Sequence, residues 1–145
     1  VCAAVSDQSI IYYEGAEIPE EKNVVSVNSE IESVFWGDGR IGIVTLGDDE
    51  TEEKEEEEGR YRICLYDASG REILSKKTEL EYRQVKLSGK HLILYNENEC
   101  EIYSEKGILK YKGTFDSVIA DLYKASGRNK FVLVFSDRTE TIRLQ

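Results

Sequence analysis

The feature that most narrows what this chain can fold into is a strand–turn–strand segment that occurs twice at a fixed interval. Tyr61 to Leu74 reads as one strand, a tight turn over Asp67-Ala68-Ser69-Gly70, and a second strand. Tyr66 and Gly70 return as Tyr103 and Gly107, each 37 residues later. A period of that length is the mark of stacked β units, each too small to bury a face by itself. A second marker agrees. Gly39-Arg40, Gly89-Lys90 and Gly127-Arg128 precede a strand at intervals of 50 and 38 residues. The longer interval contains the acidic stretch Asp48 to Glu58, and without those 11 residues and their rim it falls to about 38.

Between these markers the chain alternates short β-forming runs with turn residues, and no window carries apolar residues at helical spacing over three turns. Strands are expected at 1–5, 10–13 and 24–27, with Pro19 and Glu20-Glu21-Lys22-Asn23 forming a polar passage between the second and third. They follow at 31–36, 41–46, 60–66 and 72–76, then at 81–87, 91–95, 100–103 and 108–111, and finally at 118–123, 131–135 and 141–144. His91-Leu92-Ile93-Leu94-Tyr95 and Phe131-Val132-Leu133-Val134-Phe135 are continuous apolar runs, as expected of strands covered on both faces. Four-stranded antiparallel units of about 40 residues with doubly covered inner strands are the blades of a β-propeller. The prediction is therefore an all-β arc of such a propeller with about 14 strands. A partial blade at 1–28 precedes a blade at 31–78 carrying the acidic loop 48–58, a blade at 81–114 and a partial blade at 117–145. The innermost strands are those at 31–36, 81–87 and 118–123. Neither end supplies the strand that the other lacks, so open blade faces are expected, exposed or paired with a second copy. A four-bladed ring with degraded terminal blades is the competing architecture.

Charge narrows the partners. The net charge of −10 is concentrated between Asp48 and Glu58, where nine carboxylates face one lysine; the other 134 residues carry 20 acids and 18 bases. A nearly neutral body with one acidic block repels phosphate backbones and anionic lipid, which excludes nucleic acid as an expected partner. The longest apolar run, 131–135, is far short of the ~20 residues of a membrane helix, so this segment is not expected to insert in a membrane. No signal peptide is visible, and the lack of an initiator Met predicts a piece of a longer product. Cys2, Cys64 and Cys100 form no CxxC. Cys64 and Cys100 fall on equivalent strands of neighbouring units, beyond the ~7 Å Cα separation that a bridge allows, and all three read as small buried apolar side chains.

Leu65-Tyr66-Asp67-Ala68-Ser69-Gly70-Arg71-Glu72-Ile73-Leu74 resembles the strand–turn–strand segment of quinoprotein-like and WD-repeat-like propellers. Val34-Phe35-Trp36-Gly37-Asp38-Gly39-Arg40-Ile41-Gly42-Ile43 resembles their inner hairpin. The chain is similar to an uncharacterised bacterial family of membrane-anchored propeller-like proteins, whose extracytoplasmic part carries such blades after one N-terminal helix. That resemblance implies an extracytoplasmic location on an anchor outside this chain. There is no Trp-Asp dipeptide, and Leu74 and Leu109 stand where quinoprotein blades often close with tryptophan. No quinone, calcium or catalytic residue is carried over.

The chemistry on offer is sparse. Gly37-Asp38-Gly39-Arg40-Ile41-Gly42 matches G-x-G-x-x-G, but β-forming residues follow where a phosphate-binding helix would have to start, and Asp38 repels phosphate; a hairpin turn is expected. The acidic stretch lacks the alternating ligands and turn glycine of a calcium loop and reads as a solvated loop on one rim. His91 is the sole histidine, beside Lys90, with no acid or nucleophile at a useful spacing, and reads as an ordinary partly exposed residue. Nine tyrosines, at 12, 13, 61, 66, 82, 95, 103, 111 and 123, are mainly strand formers, with a minority available for a binding face. No catalytic, cofactor-binding or metal residue is assigned, and no cofactor is expected. The leading function is a non-enzymatic binding or scaffold module for a protein or glycan. The alternatives are part of a propeller enzyme (hydrolase, lyase or quinoprotein) completed by other blades, and a fragment that only assembles through its open blade faces.

Overall fold

The computed structural model describes residues 2–6, 9–14, 20–26, 31–46 and 60–144, with the backbone alone at 2, 14 and 20–26. The acidic stretch 48–58, Pro19 and the turn-like 15–17 lie outside the described residues. Among the described residues fourteen strands make four antiparallel sheets. Sheet 1 holds β1 (Cys2–Val5), β2 (Ser9–Glu14) and β3 (Glu20–Ser26). Sheet 2 holds β4 (Ile31–Gly37), β5 (Arg40–Leu46), β6 (Tyr61–Tyr66) and β7 (Glu72–Thr78). Sheet 3 holds β8 (Gln84–Ser88), β9 (His91–Tyr95), β10 (Glu99–Tyr103) and β11 (Leu109–Thr114). Sheet 4 holds β12 (Ile119–Lys124), β13 (Lys130–Phe135) and β14 (Thr139–Arg143). Every sheet is a meander in chain order, and the 3-4-4-3 succession is the one the repeat predicts. The chain divides into two compact units, Val1–Glu79 and Leu80–Gln145, with two sheets each.

The 37-residue recurrence proves to be one turn built twice from different side chains. In the β6–β7 link, Asp67 Oδ1 accepts from the Ser69 amide at 2.9 Å, the Ser69 hydroxyl at 2.7 Å and the Arg71 amide at 3.0 Å. In the β10–β11 link, Ser104 Oγ accepts from the Lys106 and Ile108 amides at 3.3 and 3.2 Å. Gly70 and Gly107 close the turns at φ 84° and 82°, a left-handed conformation that costs an L side chain about 1–2 kcal/mol. The register slips beside both turns, at Leu65/Tyr66 and at Ile102/Tyr103. Asp67 and Ser104 do the same work because either oxygen can bond the backbone two residues on.

Some boundaries differ from the sequence reading, each for a physical reason. Glu20 to Asn23 belong to β3, because edge pairing with β2 (Tyr13↔Glu21, Tyr12↔Asn23) asks only for backbone groups. Glu81 to Arg83 precede β8, where Asn96 Nδ2 donates to the Glu81 carbonyl at 3.1 Å. The Gly39 and Gly89 turns are offset by one. Asp38-Gly39 are the two loop residues between β4 and β5, whereas Gly89-Lys90 hold that place between β8 and β9, all four at positive φ as in type I′ turns.

In the first unit sheets 1 and 2 pack through Ile10, Tyr12, Ile43, Cys64 and Tyr66. In the second, sheets 3 and 4 pack through Ile93, Tyr95, Cys100, Ile102, Leu122, Phe131, Leu133 and Phe135. Four consecutive buried residues on each of β5, β6, β9 and β10 mean that the central strands of sheets 2 and 3 are covered on both faces. Sheets 1 and 4 are not. In β2, Ile10 and Tyr12 are buried while Ile11 and Tyr13 are half-buried. In β13, Phe131, Leu133 and Phe135 are buried but Val132 and Val134 are only half-buried. The two-faced cover expected for 131–135 is thus corrected: its second face meets no other sheet of its unit.

Close packing across β4 and β5 depends on Gly42, which lies opposite Phe35. A Cβ there would overlap the Phe35 ring. We predict that Gly42→Ala destabilises the fold by about 2–3 kcal/mol in urea denaturation, as overpacking does. Phe35→Leu in the same chain should recover at least half of that loss, and an unchanged midpoint for Gly42→Ala would contradict this packing.

Candidate functional site

The first unit carries a cleft of about 690 Å³, within the usual range of ligand sites. Ala3 and Val5 of β1 and Tyr12 of β2 form one side, and Val34 and Trp36 of β4 with Ile41 of β5 the other. The Gly37-Asp38-Gly39-Arg40 turn and Ala68 of the β6–β7 turn close its ends. The walls follow from strand periodicity. Val34 and Trp36 alternate on one face of β4, opposite Ile43 and Ile41 of β5. Sheet 1 reaches over that face to Ile43, Cys64 and Tyr66, with Ile31 at the start of β4 packed against the same cluster, and Val34 and Trp36 are not part of it. Trp36 is therefore 77% exposed and Val34 38% exposed.

Tyr12 gives the cleft its unusual polar group. Its ring is 2% exposed, and its hydroxyl is buried without a hydrogen-bond partner among the described residues. Burial, then the nearby Asp67 charge, push the phenol above its ordinary value, so it keeps its proton and is a donor at neutral pH.

The G-x-G-x-x-G match turns out to be the β4–β5 hairpin on the rim of this cleft, as expected, and Asp38 and Gly39 hold the turn. His91 plays a packing part: Nδ1 lies 2.9 Å from the Gly89 carbonyl, and the ring meets Phe131 edge-on at 5.0 Å. Cys64 and Cys100 are buried free thiols, raised by burial, Cys100 to about 11, which makes them poor nucleophiles. The Cys2 side chain lies outside the described residues. Of the tyrosines, 12, 66, 95 and 103 are buried; only Tyr12 lines the cleft. Trp36 was not singled out from the sequence, although a sole tryptophan ending a strand beside a turn was the available signal.

Sequence reasoning also passed over a cluster in the second unit. Lys86 Nζ of β8 pairs with Asp121 Oδ1 of β12 at 2.7 Å, and the Tyr95 hydroxyl donates to the same oxygen at 3.3 Å. Burial alone would raise the Asp121 carboxyl. Hydrogen bonds from Lys86, the Leu122 amide and Tyr95 outweigh it and hold the group below its ordinary value. Tyr95 is pushed up to about 12, by burial first and then by Asp121. A carboxylate held ionised by a lysine and a phenol held neutral make a strand-to-strand staple, with neither group poised for proton transfer near neutrality. Among the described residues no three His, Cys, Asp or Glu side chains are grouped to hold a metal. Among the described residues no helix is long and apolar enough to cross a membrane.

The unpaired hydroxyl yields a prediction. Tyr12→Phe should stabilise the free chain by about 1 kcal/mol in urea denaturation, because a buried donor without an acceptor is removed while the ring is kept. A loss of similar size would show that the hydroxyl is bonded in solution.

The crystal structure of BBS1N in complex with ARL6DN, soaked with mercury, superposes with a TM-score of 0.55 at 12% identity, over 96% of this chain and 44% of that one. The lead-soaked crystal of the same complex gives 0.54 at 11% identity, over 95% and 43%. The chain thus spans less than half the length of the solved chains it matches. At that identity the likeness shows the fold: antiparallel sheets matching part of a β-propeller. No curated protein matches the chain. Across residues 1–144 the sequence matches the pattern of the family of unknown function DUF5711, and the chain belongs to that family.

Proposed function

We propose that this chain is a non-enzymatic binding module for a protein partner, and that the cleft beside Val34 and Trp36 is its contact surface. The observation that carries this reading is the 77% exposure of the sole tryptophan on an apolar wall. A solvent-facing indole next to apolar surface is costly unless used, and tryptophan is the residue most enriched among interface hot spots. The propeller neighbour supports the reading by analogy, since BBS1N is crystallised in complex with a protein, ARL6DN. A glycan could also stack on an indole, but the walls of this cleft are mostly alkyl groups that suit a peptide better. An extracytoplasmic placement, on an anchor outside these residues, belongs to the same proposal and rests on the resemblance to membrane-anchored propeller-like proteins alone.

Site-specific photocrosslinking tests it. Trp36→p-benzoylphenylalanine, introduced in the protein in its native cells, should give a discrete adduct with another protein. The same replacement at Leu109, an exposed residue of β11 in the other unit (45% exposed), should not. No adduct from position 36, or the same adducts from both positions, would overturn the reading.

A further inference from the structure

The second unit sorts its charges by rim. One rim is built from the β8–β9 turn at 88–91, the β10–β11 turn at 104–108, the β12–β13 turn at 124–130 and the end of β14 at Arg143. Strand register puts these together: Tyr103 of β10 pairs with Leu92 of β9 and Leu109 of β11, and Lys130 of β13 pairs with Arg143 of β14. The two sheets also meet there, where Ser88 Oγ accepts from the Lys124 amide at 3.1 Å and the His91 ring meets Phe131. Six cations stand on this rim, Lys90, Lys106, Lys124, Arg128, Lys130 and Arg143, against the single carboxylate of Glu105. The opposite rim, made by 81–83, 96–99, 115–118 and 136–140, has six carboxylates against Arg83 and Arg138. Both arginines are paired with its acids, Arg83 with Glu97 at 2.8 Å and Arg138 with Asp137 and Glu140 at 3.2 and 3.0 Å.

Packing accounts for little of the basic rim. Lys124 has a structural part, its ammonium donating to the Ala125 and Gly127 carbonyls at 2.8 and 2.6 Å. Lys106, Arg128, Lys130 and Arg143 make no ion pair among the described residues. Lys130 and Arg143 stand directly opposite each other, an arrangement of like charges that costs stability. On the same rim two aliphatic side chains face water, Ile108 at 55% and Leu109 at 45% exposure. The chain-wide net charge argues against anionic lipid, but at physiological salt a charge acts over only ~8 Å. Strands of five residues set the two rims roughly 15 Å apart, so what approaches the basic rim meets mainly that rim's own charge.

We propose that this rim is a docking surface for an anionic lipid bilayer, with the cations over headgroup phosphates and Ile108 and Leu109 dipping into the interface. A bilayer fits better than an acidic polypeptide. The cations are spread over three turns and a strand end, which matches a continuous array of headgroups, and basic residues beside exposed aliphatics are the combination that holds a protein at a headgroup layer. The surface shares no residue with the cleft of the first unit and stands whether or not that cleft binds protein.

The test is partitioning of the 145-residue chain onto vesicles of phosphatidylglycerol mixed with phosphatidylcholine, against phosphatidylcholine alone. Binding should be at least ~tenfold stronger on the anionic vesicles and should weaken as salt is raised. Lys106→Glu with Arg128→Glu should lower it at least ~tenfold, and Ile108→Ser with Leu109→Ser about fivefold. Arg83→Glu, on the acidic rim, should change it less than ~twofold. All five positions are exposed, so these variants keep the fold. Equal binding to both vesicles, binding to neither, or a loss from Arg83→Glu as large as that from the double reversal would each overturn the proposal. Silent vesicles together with binding of poly-glutamate that the double reversal abolishes would overturn it in favour of an acidic polypeptide.

Discussion

Each sheet in this protein has two faces, and which of those faces find cover decides nearly everything else about it. Burial of apolar side chains is worth about 25 cal/mol per Å², and a pleated strand offers half its side chains to each side. The central strands of sheets 2 and 3 satisfy both sides, as the unbroken buried runs of β5, β6, β9 and β10 show. Sheets 1 and 4 satisfy one side each, with Ile10 and Tyr12 turned inward in the first, and Phe131, Leu133 and Phe135 in the second. The surface left over is concentrated on particular residues, above all Trp36.

Much of this was legible in the amino-acid order because turn chemistry is local. Tyr66 and Tyr103, Gly70 and Gly107 set the period, and the structure shows why they recur: a side-chain oxygen at 67 or 104 holds the turn, and a left-handed glycine closes it. Strand ends were less legible where pairing is purely backbone. Glu20 to Asn23 look like a loop by composition and are a strand by hydrogen bonding. Exposure was least legible of all. Phe131 to Phe135 reads like a strand buried on both sides, and Val34 to Trp36 like an ordinary inner strand, because cover depends on what another part of the polypeptide places opposite. The candidate site fell in that blind spot. Its rim, Gly37 to Gly42, was noticed as a hairpin turn and for a phosphate-loop pattern that the hairpin does not use, and neither reading pointed to the cleft.

The site and the fold are connected through substitution at repeated positions. Where β8 meets β12, a lysine and a carboxylate meet at 2.7 Å, and both inner strands are present. At the positions of β4 equivalent to Asp121 and Lys124, serine and tryptophan stand in their place. An ion pair at a half-exposed position contributes modestly, about 1 kcal/mol or less, but it specifies its partner; an indole adds area and tolerates many sequences. One unit thus has a neighbour specified by charge, and the other has a surface suited to an apolar one. The buried thiols, His91 and the Tyr95–Asp121 pair are all used within the packing.

The central claim, that cover on both faces distinguishes β5, β6, β9 and β10 from the strands of sheets 1 and 4, is tested most directly by native-state hydrogen exchange resolved by residue. The account predicts that the hydrogen-bonded amides around Ile43, Ile63, Leu94 and Ile102 exchange at least about 100-fold more slowly than those of β1 and β14. Equal protection across all four sheets, or the slowest exchange in β1 or β14, would contradict it.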